Sequence, residues 1–169
     1  MYSFIYYIQS IMPHSRPALT PAPALTLPIP NAHFIWYCAW LAVPSAVYAF
    51  TSTRVPSLGI IPASVWATSL LYWRNPIRDS WPRKLDMVGV FIGASYNTYY
   101  AFRNIRHTSP AHFGVYAALI GAAISSYGVS NYLMTRGQVW PATYAHASIH
   151  LLGNMANFVL YDGCKYTHT

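Results

Sequence analysis

The residues best equipped for chemistry lie in the last apolar stretch of the chain. Thr143, His146, His150, Asn154 and Asn157 recur along one side of the helix that Thr143 to Tyr161 would form, while Ile149, Leu152 and Phe158 fall largely on others. His146 and His150 are one turn apart on a shared face, so both rings can reach one metal ion. The same spacing suits a hydrogen-bonded structural pair, or a histidine contacting the metal of a chlorophyll or haem. Polar side chains at membrane depth cost about 1 to 3 kcal/mol each when unpaired, so this face has to meet protein, water or a ligand. Asp86 opens another stretch whose face continues through Gly89, Gly93, Asn97 and Tyr100. It reads either as an amino-terminal charge favoured by the helix dipole and paired with Arg83 or Lys84, or as a proton-handling carboxylate.

The elements that must position these groups are long apolar helices. Of 169 residues, 54% are hydrophobic and only 8% charged, against roughly 25% for soluble domains, so a lipid bilayer is the expected solvent. Five stretches, Ala32 to Phe50, Ser57 to Trp73, Leu85 to Phe102, Phe113 to Met134 and Thr143 to Tyr161, approach the ~20 residues that span a bilayer. Their apolar residues do not alternate, and lipid leaves the backbone only its own hydrogen-bond partners, so the fold class is an all-α transmembrane bundle. Pro44 and Pro62 fall inside the first two stretches and predict kinks whose freed carbonyls neighbouring helices absorb. Most of the six tryptophans lie near predicted ends, as interfacial anchors do.

Residues 1–31 divide from this bundle, residues 32–169. Tyr2 to Met12 predicts an interfacial helix, and the proline-rich run Pro13 to Pro30 an extended strap laid on a surface. The start lacks the basic and small-residue features of a removable targeting segment. Cys38 and Cys164 are too few for a disulfide framework. The net charge of +7 comes from basic residues that separate apolar runs, which suits anionic lipid or acidic partners and argues against nucleic acid. Arg16, Arg74, Arg78, Arg83, Lys84 and Arg136 share one side, and Arg54, Arg103, Arg106 and Lys165 the other, which favours an inside amino terminus. Gly114, Ala118, Gly121, Ser125 and Gly128 form one small-residue stripe, predicted to pack tightly inside the bundle.

The run SLLYWRNPIRDSWPRKLDMVGV, Ser69 to Val90, followed by HASIH and NMANFVLYDG, resembles the superfamily of alkaline ceramidases and adiponectin-type receptors. The likeness implies a multi-pass helical fold of seven spans and a zinc ion held by three histidines. It also implies a Ser and an Asp beside the metal-bound water that hydrolyses lipid amides. The matching positions here are Ser69, Asp86, His146 and His150. Trp73 stands where the third histidine would be, and indole has no lone pair to offer a metal. The wording around Trp73 is also similar to a group of membrane proteins of algae and large viruses in which Trp at that position is usual. The expected function is therefore a non-catalytic accessory subunit of a photosynthetic or respiratory complex, in the mitochondrial inner or thylakoid membrane. A zinc-dependent lipid amide hydrolase, with Ser69 steadying the oxyanion and Asp86 moving a proton, and a small transporter lined by the polar face of the last stretch are the alternatives.

Overall fold

A computed structural model describes residues 24–53 and 55–165. The described chain is helical, with α1 Ile29–Ala39, α2 Ala42–Ser52, α3 Pro56–Trp73, α4 Trp81–Thr108, α5 Pro110–Thr135 and α6 Val139–Cys164. Prolines occupy the first turn of α1, α3, α4 and α5, where the missing N–H costs nothing and the fixed φ starts the helix. Only Ser109 separates α4 from α5, so these two form a tight hairpin. Gly137, at φ 71°, closes the turn between α5 and α6 in the left-handed conformation that glycine adopts without strain.

The expected interfacial helix and residues 13–23 of the strap lie outside the described residues. Leu25 of the strap forms an isolated antiparallel bridge with Ile77 and the chain then bends at Thr26 and Leu27: Thr26 donates to the Pro76 carbonyl at 2.8 Å, and Arg78 donates to the Ala24 carbonyl at 2.9 Å. These bonds tie the strap to the loop between α3 and α4, and Leu27 is buried there beside Ile35, Tyr72 and Trp73.

Both internal prolines act through the carbonyl four residues earlier. Pro44 has no N–H for the Trp40 carbonyl and crowds it, and the first expected span is broken at Trp40 and Leu41, where Val43 takes that carbonyl at 3.1 Å. Pro62 leaves α3 continuous and frees the Leu58 carbonyl, which receives the Tyr161 hydroxyl of α6 at 2.9 Å. That bond lies within the main core, with Leu58, Ala101, Ile105, Tyr116, Leu160 and Tyr161.

Helix α6 packs most extensively on α5 and also on α1, α2 and α4, while α3 contacts α1, α2 and α4. Close approach of α3 to α4 requires Gly93, because a Cβ there would lie 2.8 Å from Ile61 Cγ2. The interior is rich in small and polar groups, including Asn31, Ser45, Ala49, Ser69, Asn97 and Thr143. Large apolar side chains point outward, with Phe91 73% and Ile124 68% exposed. Two rods, Ile29–Ser52 and Pro110–Thr135, are long and apolar enough to cross a bilayer. Only 17% of the apolar window of the second is buried, unlike the core helix of a soluble protein.

The small-residue stripe of α5 requires correction. Gly114, Ala118, Gly121, Ser125 and Gly128 are all exposed, and a Cβ on Gly114, Gly121 or Gly128 would meet nothing within 4 Å. The opposite face, through Tyr116, Ala123 and Ser130, is the one that packs against this chain. Spacing defines which residues share a face but not which face turns inward. Gly93→Ala is expected to lower the melting temperature by an overpacking cost of about 1 to 3 kcal/mol, read by circular dichroism in detergent. Gly121→Ala should leave it unchanged or raise it by up to about 1 kcal/mol of helix propensity. Equal losses at both positions would contradict these packing assignments.

Candidate functional site

Helices α3, α4 and α6 converge where the strap crosses them. Ser69 and Thr68, at the carboxyl-terminal end of α3, donate to Asp86 Oδ1 at 2.6 and 3.2 Å. Ser69 is 1% and Asp86 8% exposed. The expected pairing of Asp86 with Arg83 or Lys84 does not form, since no basic group lies within 4.0 Å of its carboxylate among the described residues. The inward direction of Asp86 places it against hydroxyls of the preceding helix, out of reach of the cations that precede it on α4.

Trp73, one turn beyond Ser69, is buried and meets the His146 ring edge-on, with centroids 4.9 Å apart and planes at 67°. His146 and His150 follow each other at 5.9 Å between centroids. Neither ring nitrogen pair receives or donates a hydrogen bond among the described residues, so the histidines do not tie α4 to α6. That link runs from Asn97 Nδ2 to Asn157 Oδ1 at 2.9 Å. Thr143 accepts from Asn31 of α1 at 3.0 Å, and Asn154 donates to the His150 carbonyl of its own helix at 2.7 Å. The polar face of α6 is thus satisfied at its two ends by other helices, and in its middle His146 meets the Trp73 ring while His150 lies behind His146.

Ser69, Trp73, Asp86 and His146 are neighbours in space although they come from three helices. Trp73, Asp86, His146, Arg83, Tyr127 and Asn131 line a cavity of about 100 Å³, with Thr26 and Leu27 of the strap over it. The donor set does not fit the zinc site that the resemblance implies. No three His, Cys, Asp or Glu side chains gather to hold a metal among the described residues, and the third position presents an indole whose Nε1 is itself buried without a partner. His107 and His112 belong to the opposite end of α4 and to the start of α5, away from His146 and His150.

A second polar cluster occupies that opposite end and was not anticipated. Asp162, just past the last predicted span, accepts from Lys165 Nζ at 2.8 Å and Tyr48 OH at 3.3 Å, and its Oδ2 lies 3.2 Å from His112 Nε2. Lys165 also donates to Tyr48 OH at 2.6 Å, and Ser109 Oγ lies 2.5 Å from His112 Nδ1. The cluster joins the ends of α2 and α6 to the start of α5. The sequence signal for it was slight: a single acid and a single lysine three residues apart.

The Lys165 hydrogen bond holds the Asp162 carboxyl below its usual range; desolvation opposes it, and the His112 and Tyr48 hydrogen bonds and the Lys165 charge reinforce it. Its folded pKa being lower than the unfolded value near ~3.9, its stabilisation is present above that value and is lost as pH falls through the folded one. The melting temperature of the wild type should therefore decline below about pH 4 more steeply than that of Asp162→Asn; parallel curves would remove the effect. Elemental analysis should find no stoichiometric zinc in the purified wild type. Trp73→His, which restores a third imidazole, should take up zinc that His146→Ala then abolishes; one zinc per wild-type chain would show that a different ligand completes the site. No family model, curated protein or solved structure matches this chain.

Proposed function

We propose that the chain is a multi-pass integral membrane protein that serves as a non-catalytic helical subunit of a larger assembly, of the photosynthetic or respiratory kind in an organelle membrane. The observation that carries this reading is the inversion of polarity across the fold. Val47 and Phe50 of α2, Ile60 and Leu71 of α3, Phe91 and Ile92 of α4, Ile124 and Val129 of α5 and Leu151 and Met155 of α6 all face outward. Asn31, Asn97, Thr143, Ser69 and Asp86 face inward. Water would penalise the first set and lipid would penalise the second if it were outside.

Two further features favour a subunit over an enzyme. The outward stripe of α5 offers the close backbone approach through which helices associate in lipid, where there is no hydrophobic drive to bring them together. The cavity beside Asp86 is too small for a lipid chain, and its donor set lacks a third metal ligand. The second reading, a lipid amide hydrolase related to the ceramidases, draws on one specific observation, the meeting of Ser69, Asp86 and His146.

Carbonate-resistant membrane retention of the full chain and a native-gel band well above the monomer are the expected results. Gly121→Leu should release free chain from that band while the melting temperature of the isolated protein stays within about 1 kcal/mol of wild type, because position 121 touches nothing within the monomer. Extraction by carbonate would overturn the membrane reading. A wild type that runs as a monomer would overturn the subunit reading alone.

A further inference from the structure

Asp86 combines features that a hydrogen-bonded packing residue does not need. Its carboxylate is nine-tenths buried, Oδ1 takes both the Ser69 and Thr68 bonds, and Oδ2 takes none from the described residues. The side chain lines the cavity, and no basic group of the described residues pairs with it. The open oxygen can accept a donor from outside the chain, and a cationic donor would offset the cost of keeping the carboxylate ionised there. One turn earlier on α4, Arg83 lines the same cavity; its Nη1 donates to the Arg78 carbonyl at 2.9 Å, its side chain also engages the Tyr72 hydroxyl, and a guanidinium has five N–H donors, so some remain for an anion. An acceptor inside and a guanidinium at the rim thus stand three residues apart, ~4.5 Å of helical rise.

The cavity opens sideways. Met87 of α4 and Tyr127 and Asn131 of α5 line it and are exposed, so its mouth lies between these two helices on the outer surface. Phe91 is one turn deeper than Met87 on α4, and Ile124 one turn deeper than Tyr127 on the antiparallel α5, and both are among the most exposed apolar side chains. A polar recess with an apolar track leading away from it fits a lipid.

We propose that this recess binds the headgroup of a phosphatidylethanolamine-class lipid. The primary ammonium donates to Asp86 Oδ2, the phosphate accepts from Arg83, and the acyl chains lie over Phe91 and Ile124. A quaternary headgroup has no N–H to donate, and an anionic glycerol headgroup has no cation for Asp86. The inference rests on the membrane reading but not on the subunit reading, and it assigns no reaction to the recess.

The test is native mass spectrometry of the full chain in mild detergent, offered phosphatidylethanolamine, phosphatidylcholine and phosphatidylglycerol of identical acyl chains. The wild type should retain the ethanolamine lipid about tenfold over the other two, as one charge-assisted hydrogen bond implies. Asp86→Asn, which keeps the acceptor for Ser69, should reduce it to the choline level, and Arg83→Gln should reduce it several-fold. Met87→Trp, at an exposed position that leaves the Asp86 bonds untouched, should block the mouth with the same result; it serves should Asp86→Asn fail to fold. Equal retention of ethanolamine and choline lipids, or undiminished retention in Asp86→Asn or Met87→Trp, overturns the proposal. Preference for phosphatidylglycerol also overturns it, by assigning lipid capture to the basic end alone. Chain found only in the carbonate-soluble fraction would instead overturn the membrane reading on which the inference stands.

Discussion

With Phe, Ile and Val on its exterior, this bundle turns its polar side chains inward and pairs most of them across helices, leaving the Ser45 hydroxyl, the Trp66 and Trp73 indole nitrogens and the Asn97 side-chain oxygen as the buried exceptions among the described residues. Pro62 removes a donor from α3, and the orphaned Leu58 carbonyl is met by Tyr161 from α6. Asn97 pairs with Asn157, Thr143 with Asn31, and Asp86 with Ser69 and Thr68. Each pair joins two helices, so satisfying polar groups and fixing tertiary geometry are one operation. In the proposed membrane setting, helices lack the hydrophobic drive that organises a soluble core, and such bonds, with close small-residue contacts, would take over the task.

The same constraint divides the molecule into two ends. Near the strap, aromatic and histidine rings surround a carboxylate that has hydroxyl partners but no cation. At the other end, Asp162 gathers Lys165, His112 and Tyr48 where water can reach them. The exposed cluster is a network of weak, screened contacts whose effect is to hold helix ends together. The buried carboxyl has hydroxyl partners on one oxygen and no cation, and its open oxygen is what the proposed headgroup would engage, whereas the exposed cluster serves structure.

Trp73 explains why a constellation that resembles a hydrolase site need not be one. An indole cannot accept a hydrogen bond or a metal, but it offers a large surface edge-on to His146, and the pair is enclosed by Leu27 and Tyr72. Where the resemblance would place a ligand, this chain has an aromatic ring, and what it contributes there is packing. The three helices stay together around the same positions, and the chemistry that a third imidazole would bring is absent from the donor set.

Much of the fold was legible in the sequence because it is governed by local rules. Apolar length predicted the helices, whose observed bounds run from three to six residues beyond most of the expected ones. The prolines predicted kinks whose freed carbonyls neighbouring helices absorb; this holds for the Leu58 carbonyl, met by Tyr161 of α6 though α3 stays continuous, while the break at Pro44 leaves the Trp40 carbonyl to Val43 of its own segment. Helical spacing placed His146 and His150 on one face and Asp86 on an inward one. What spacing cannot supply is rotation about the helix axis relative to neighbours, which depends on the shapes of all the other helices at once. For that reason the stripe of α5 turned outward, Asp86 met Ser69 instead of Arg83, and Asp162 found partners from two distant segments. Periodicity along one chain determined which residues travel together; only packing in three dimensions decided what they face.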